Sequence, residues 1–127
     1  MSGTSGDYTL GPKIAVLDFI SRTTDPLVTI SIPFMKKIAE RTEFCCLLTQ
    51  LNQDSCIDLH HEIFKDTPLL SYGRGCPRPV YVGSSPKIIM AHLPKAKILD
   101  YYQRFSAELA QVNFAQNEDD FLQQMRK

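Results

Sequence analysis

The stretch from Gly73 to Leu93 constrains this chain more than any other. Gly73-Arg74-Gly75-Cys76-Pro77-Arg78-Pro79 packs two glycines, two prolines and two arginines into seven residues. That mixture breaks helices and removes donors from a strand ladder, so the segment reads as a loop. Val80, Tyr81 and Val82 follow, and then Gly83-Ser84-Ser85-Pro86-Lys87 leads into the apolar run Ile88, Ile89, Met90, Ala91 and Leu93. Ser85 has the chemistry of a helix N-cap and Pro86 that of a first helical residue. Free N–H groups of Ser85 and Lys87, with the hydroxyls of Ser84 and Ser85, form a candidate anion-binding cluster, from which Pro86 subtracts one donor. An ordinary capped helix is the plainer alternative.

Around this stretch the pattern is mainly helical. Residues 1–10 read as a flexible tail and junction. From Pro12, the residues Ile14, Leu17 and Ile20, with Val16 beside them, recur at helical spacing. Asp25-Pro26 is a second helix start, and Leu27, Ile30, Phe34 and Ile38 fall on one face behind it. Pro33 lies inside that pattern and must kink the helix or divide it. Phe44–Leu51 and Ser55–Ile63 read as two strands joined at Asn52-Gln53-Asp54, with Ile57 and Leu59 on one face of the second. Leu69–Tyr72 is a third short strand candidate. Pro94 opens a helix with Ile98, Leu99, Tyr102 and Phe105 inward. Asn117 caps a last helix whose Glu118, Asp119 and Asp120 suit its positive end. Four to six helices against three strands give an α+β domain over residues 11–127 whose sheet edges lack cover.

Several classes of function lose ground on composition. At 127 residues one domain is expected, since about 100–200 residues per domain is usual. Fourteen basic and fourteen acidic groups leave no net charge, which argues against a free-standing basic DNA-binding domain. The positive charge concentrates in residues 67–99, where Arg74, Arg78, Lys87, Lys95 and Lys97 meet no acid, a region suited to an anionic ligand or simply a solvated basic face. No apolar run approaches the roughly 18 residues of a membrane span, and no secretory leader pattern is visible. Cys45, Cys46, Cys56 and Cys76 lack Cys-x-x-Cys spacing and read as free thiols of a cytoplasmic protein. His60, His61 and His92 lack ligand spacing, so no metal or other cofactor is expected. Cys76 lies between two arginines but without a paired base, and Gly83-Ser84-Ser85 does not form a nucleophile elbow, so the chain does not read as an enzyme.

Taken in order, these segments resemble the effector-binding domain of IclR-type bacterial transcriptional regulators. The likeness begins at Tyr8-Thr9-Leu10-Gly11-Pro12-Lys13, similar to the family's tyrosine-x-leucine-glycine junction before a linker helix. Asp25-Pro26-Leu27, Pro33 and Ile38-Ala39-Glu40-Arg41-Thr42 resemble its next, proline-containing helix. Gly73–Pro79 and Gly83–Pro94 resemble its glycine-arginine…proline and glycine-alanine-x-glycine/serine-lysine signature, with Ser84 where alanine is frequent and Pro86 where glycine or serine is usual. Asp119–Lys127 resembles the helix before a glycine-tyrosine segment, so the likeness spans Tyr8 to Lys127.

The resemblance implies a GAF/PAS-like antiparallel sheet flanked by helices, with an N-terminal linker helix. It implies that the family's late strands and its winged-helix DNA-binding domain lie outside this chain. It further implies no catalysis, a dimer or tetramer, and a pocket for a small organic effector, a carboxylic acid or an aromatic. Carried over by motif, the pocket residues are Leu69, Leu70, Tyr81, Gly83, Ser84 and Ser85, the first three as apolar wall and the serines as hydrogen-bonding groups. The rival expectation is a ligand-free dimerisation module with a filled core in that place.

Overall fold

Helix start signals account for most of the architecture. The computed structural model describes residue 6, residues 8–65 and residues 72–126. Helix α1 (Lys13–Thr24) begins directly after Pro12. Asp25 then caps α2 (Pro26–Thr42), its carboxylate accepting from Leu27 N at 2.9 Å. α2 runs unbroken through Pro33, so the choice between a kinked and a divided helix resolves as one element.

Strands β1 (Cys46–Asn52) and β2 (Ser55–Glu62) are joined by a two-residue turn at Gln53 and Asp54. The strand candidate Leu69–Tyr72 lies, except for Tyr72, outside the described residues, and a further strand stands where a loop was expected. Leu69 and Leu70 lie outside the described residues, and β3 is Arg78–Pro79, inside the segment read as loop. It pairs antiparallel with the start of β2, Ser55 opposite Pro79 and Cys56 opposite Arg78. Sheet order is β1-β2-β3. Proline is tolerated because a two-residue edge strand needs few ladder donors. Helices α3 (Ser84–Ala91), α4 (Lys95–Gln111) and α5 (Glu118–Arg126) complete an α+β fold.

The chain separates into two compact units, Met1–Cys46 with Glu62–Thr67, and Leu47–His61 with Pro68–Lys127. In the first, α1 packs along α2 but has no buried residue. Ile14, Leu17, Phe19 and Ile20 are all exposed. In α2 the expected inner face is reversed. Leu27, Ile30, Phe34 and Ile38 are exposed, and Val28, Met35 and Ala39 are buried.

In the second unit, α3 and α4 both pack on α5. Its core holds Cys56, Val80, Met90, Ile98, Tyr101, Leu109, Phe121 and Met125, with Tyr102, Phe105 and Phe114 packed at the margin. On β2 the buried side chains are Cys56 and Asp58, with Ile57 and Leu59 half-buried, so the register is opposite to an apolar-in reading. Tyr101 donates its hydroxyl to the Gln53 carbonyl at 2.6 Å, tying α4 to the β1–β2 turn. Asn117 Oδ1 accepts from Asp120 N at 2.9 Å, and Asp120 accepts from Gln116 N at 3.0 Å. Asn117→Ala is expected to cost about 1 kcal/mol, the usual worth of a side-chain N-cap, read from urea unfolding.

Candidate binding site

The turn into α3 sets the geometry. Val82 N donates to the Pro79 carbonyl at 3.2 Å, and Gly83 then takes φ 91°, ψ 172°. That backbone region is open to glycine almost alone. Gly83, not Ser85, is the N-cap, and the helix starts at Ser84. This corrects the expected anion cluster. With Gly83 at the cap, Lys87 N–H joins the first intrahelical bond, Pro86 has none, and the Gly83, Ser84 and Ser85 N–H groups stay outside the ladder. Pro86 is buried at the third helical position.

Two hollows share Val82, Gly83 and Ser84. The larger, of about 540 Å³, adds Tyr81, Lys87, Val112 and Phe114. The smaller, of about 250 Å³, adds Leu47, Asp58, Tyr72 and Arg78. Three of the residues carried over by motif, Tyr81, Gly83 and Ser84, therefore meet at one place. Ser85 is half-buried in the first helical turn and lines neither hollow. Leu69 and Leu70 fall outside the described residues. Burial pushes the Tyr81 phenol above its ordinary range, and Glu108 and Tyr72 add to the shift. Tyr81 is therefore a neutral wall residue at physiological pH. Its ring meets Phe105 edge-on at 5.9 Å and Phe114 at 6.3 Å. The Lys87 ammonium lies 5.2 Å from the centre of the Phe114 ring, a favourable cation–π separation.

A polar cluster at the back of the smaller hollow was not foreseen. Asp58 and Arg78 side chains are 1% and 8% exposed, and Arg78 Nη2 donates to Asp58 Oδ1 at 2.6 Å. Thr49 Oγ1 donates to the same oxygen at 2.6 Å, and Nη2 also reaches Thr49 at 3.2 Å. His61 Nε2 meets Asp58 Oδ2 at 2.9 Å. Both carboxylate oxygens are thus engaged, as a buried charge requires. The Gly75 amide donates to the Asp58 carbonyl at 2.9 Å, which ties the glycine-proline loop to β2. Asp58 within an otherwise mainly uncharged strand and Arg78 flanked by two prolines were the available signals, but the two lie 20 residues apart with a loop between them.

Other candidates do not assemble. Cys76 is exposed and Cys56 buried, and all four thiols are free. Burial raises the Cys56 thiol, and Arg78 and Asp58 oppose one another in the remainder of its shift. Among the described residues no group of three or more His, Cys, Asp or Glu side chains is placed to hold a metal ion. No described helix is long and apolar enough to cross a membrane.

No family sequence model matches the chain, and no curated protein sequence matches it significantly. Solved structures do. An IclR family transcriptional regulator from Brucella abortus superposes with a TM-score of 0.69 at 16% identity, over 86% of this chain. The fold is that of IclR-type regulators. An IclR homologue from Microbacterium hydrocarbonoxydans, solved in complex with 4-hydroxybenzoate, matches at a TM-score of 0.57 and 19% identity over 78% of this chain. This chain spans 41% and 42% of those two IclR-type chains. The mixed helix and antiparallel-sheet architecture expected from the motif order is thus the one observed.

Proposed function

We propose that this chain is the effector-sensing part of an IclR-type transcriptional regulator, acting in the cytoplasm on DNA through a winged-helix domain outside residues 1–127. The observation that carries this reading is the larger hollow. Tyr81, Phe114 and Val112 give it an apolar wall, Lys87 a cation, and Ser84 a hydroxyl at a helix start. Those are the requirements of a small organic acid or aromatic. The complex of the Microbacterium relative with 4-hydroxybenzoate supports that ligand class. Binding would alter DNA occupancy by favouring one of two quaternary arrangements, and it can do so only to the extent that it binds one better than the other. The reading assigns no catalytic step.

A thermal-shift screen of small aromatic and aliphatic acids tests it. A true effector at about 100 times its Kd adds about 2.7 kcal/mol, a rise of several degrees in Tm. No stabilisation by any compound would overturn the sensing role. The second reading, a ligand-free dimerisation module, would then lead, because the exposed Ile14, Leu17, Phe19 and Ile20 on α1 suit self-association into a dimer or tetramer.

A further inference from the structure

The turn between α4 and α5 carries one wall of the larger hollow, and α5 holds that turn in place. We infer that Gln124 is a positioning residue of the site: from α5 it fixes the Phe114 carbonyl, and so keeps the Phe114 ring standing as the wall against which a ligand packs. This rests on the effector-binding reading and adds the element that keeps the site in shape.

α4 ends in a turn closed by two backbone bonds, Asn113 N to the Ala110 carbonyl at 3.3 Å and Phe114 N to the Leu109 carbonyl at 3.1 Å, with Asn113 at φ 49°. This is the Schellman pattern, in which a left-handed residue stops the helix and turns the chain aside. It satisfies the Phe114 N–H but leaves the Phe114 carbonyl to find a donor outside α4. Gln124 Nε2 is that donor. The same amide lies 3.4 Å from both oxygens of Asp120, which also accepts from Gln116 N at 3.0 Å, so α5 binds the turn at Phe114 and again at Gln116. The Phe114 ring then meets the core residue Phe121 at 6.0 Å, Tyr81 of the hollow at 6.3 Å and the Lys87 ammonium at 5.2 Å. Phe114 therefore belongs both to the packing of α5 and to the lining of the hollow. Without the Gln124 donor the carbonyl must turn to water to be satisfied. Peptide and ring rotate about the same backbone, so that turn frees the ring to leave its place between Phe121 and Tyr81. A wall displaced by even 1 Å forfeits much of its attraction for a ligand, because dispersion falls steeply with separation.

The chain contains no tryptophan, so Phe114→Trp places a single reporter at the wall. In that background Gln124→Met should raise acrylamide quenching of the indole about twofold, with helix content by circular dichroism unchanged. Binding is read by calorimetric titration with 4-hydroxybenzoate, the ligand of the Microbacterium relative, or with the small acid that stabilises the chain most. Gln124→Met should weaken that binding about tenfold. In a Phe114→Ala background the same change should alter affinity by less than about twofold, because the ring through which Gln124 acts is gone. A role in stability alone would not produce that difference between backgrounds. Gln124→Glu keeps the shape and loses the donor, so it should match Gln124→Met, and it takes its place should the methionine variant not fold. Unchanged quenching overturns the inference, as does an equal loss of affinity with and without the Phe114 ring, and either result leaves the effector reading standing. If no small acid binds the unaltered chain, the effector reading falls and the inference falls with it.

Discussion

Asp58→Ala is expected to destabilise the protein by about 3–5 kcal/mol, a fall in Tm of more than about 10 °C. The size follows from what remains behind. Arg78 is 8% exposed, and its guanidinium would keep its charge in a place with no counter-ion. Thr49 and His61, both half-buried, would lose the carboxylate to which they donate. Replacing both charges, with Asp58→Leu and Arg78→Met together, should recover most of the loss, since a buried pair contributes little over a well-packed apolar pair of similar volume. Urea unfolding of the two variants beside the parent measures the difference. A loss under about 1 kcal/mol in Asp58→Ala would mean that water reaches the pair freely.

That cluster also shows where sequence reasoning stops. Capping residues act within four positions of themselves, so Asp25, Asn117 and the acidic first turn of α5 could be read directly and stand as expected. The two-residue turn at Gln53 and Asp54 is equally local. Which face of an element is buried depends on partners distant in the chain. In α2, Leu27 and Phe34 make as good a stripe as Val28 and Met35, and only packing chooses between them. On β2 an apolar-in rule favours Ile57 and Leu59. The fold instead buries Cys56 and Asp58, because Arg78 arrives opposite Cys56 and brings the charge that makes a buried aspartate tolerable. β3 was unreadable for a similar reason: Arg78-Pro79 has no strand propensity and is extended only because β2 lies beside it. The site was partly legible. Tyr81, Gly83 and Ser84 follow from the motif order, whereas Lys87 as a wall residue, Phe114 and the Asp58–Arg78 pair come from elements that only the fold brings together.

Gly83→Ala should cost about 1–3 kcal/mol and also abolish tight ligand binding. Space is not the difficulty. A Cβ on Gly83 would lie 3.6 Å from Arg78 Nη1 and 3.9 Å from Pro86 Cδ, ordinary contact distances. The difficulty is φ 91° with ψ 172°, a region that alanine enters only under strain. Relaxing that strain means rotating the peptide that delivers Ser84 to α3, and Gly83 and Ser84 line both hollows. Gly75→Ala is the informative control. Gly75 also has a positive φ, 78°, with nothing within 4 Å of its would-be Cβ, but it lines neither hollow. It should lose a similar amount of stability, about 1–2 kcal/mol, and keep ligand affinity within about twofold. Unfolding and calorimetric titration on the same samples separate the two effects. Equal loss of affinity in both variants would mean that the turn matters only for stability. Loss confined to Gly83→Ala would tie the ligand to the backbone between β3 and α3, where the strained glycine, the serine hydroxyl and the two hollows meet.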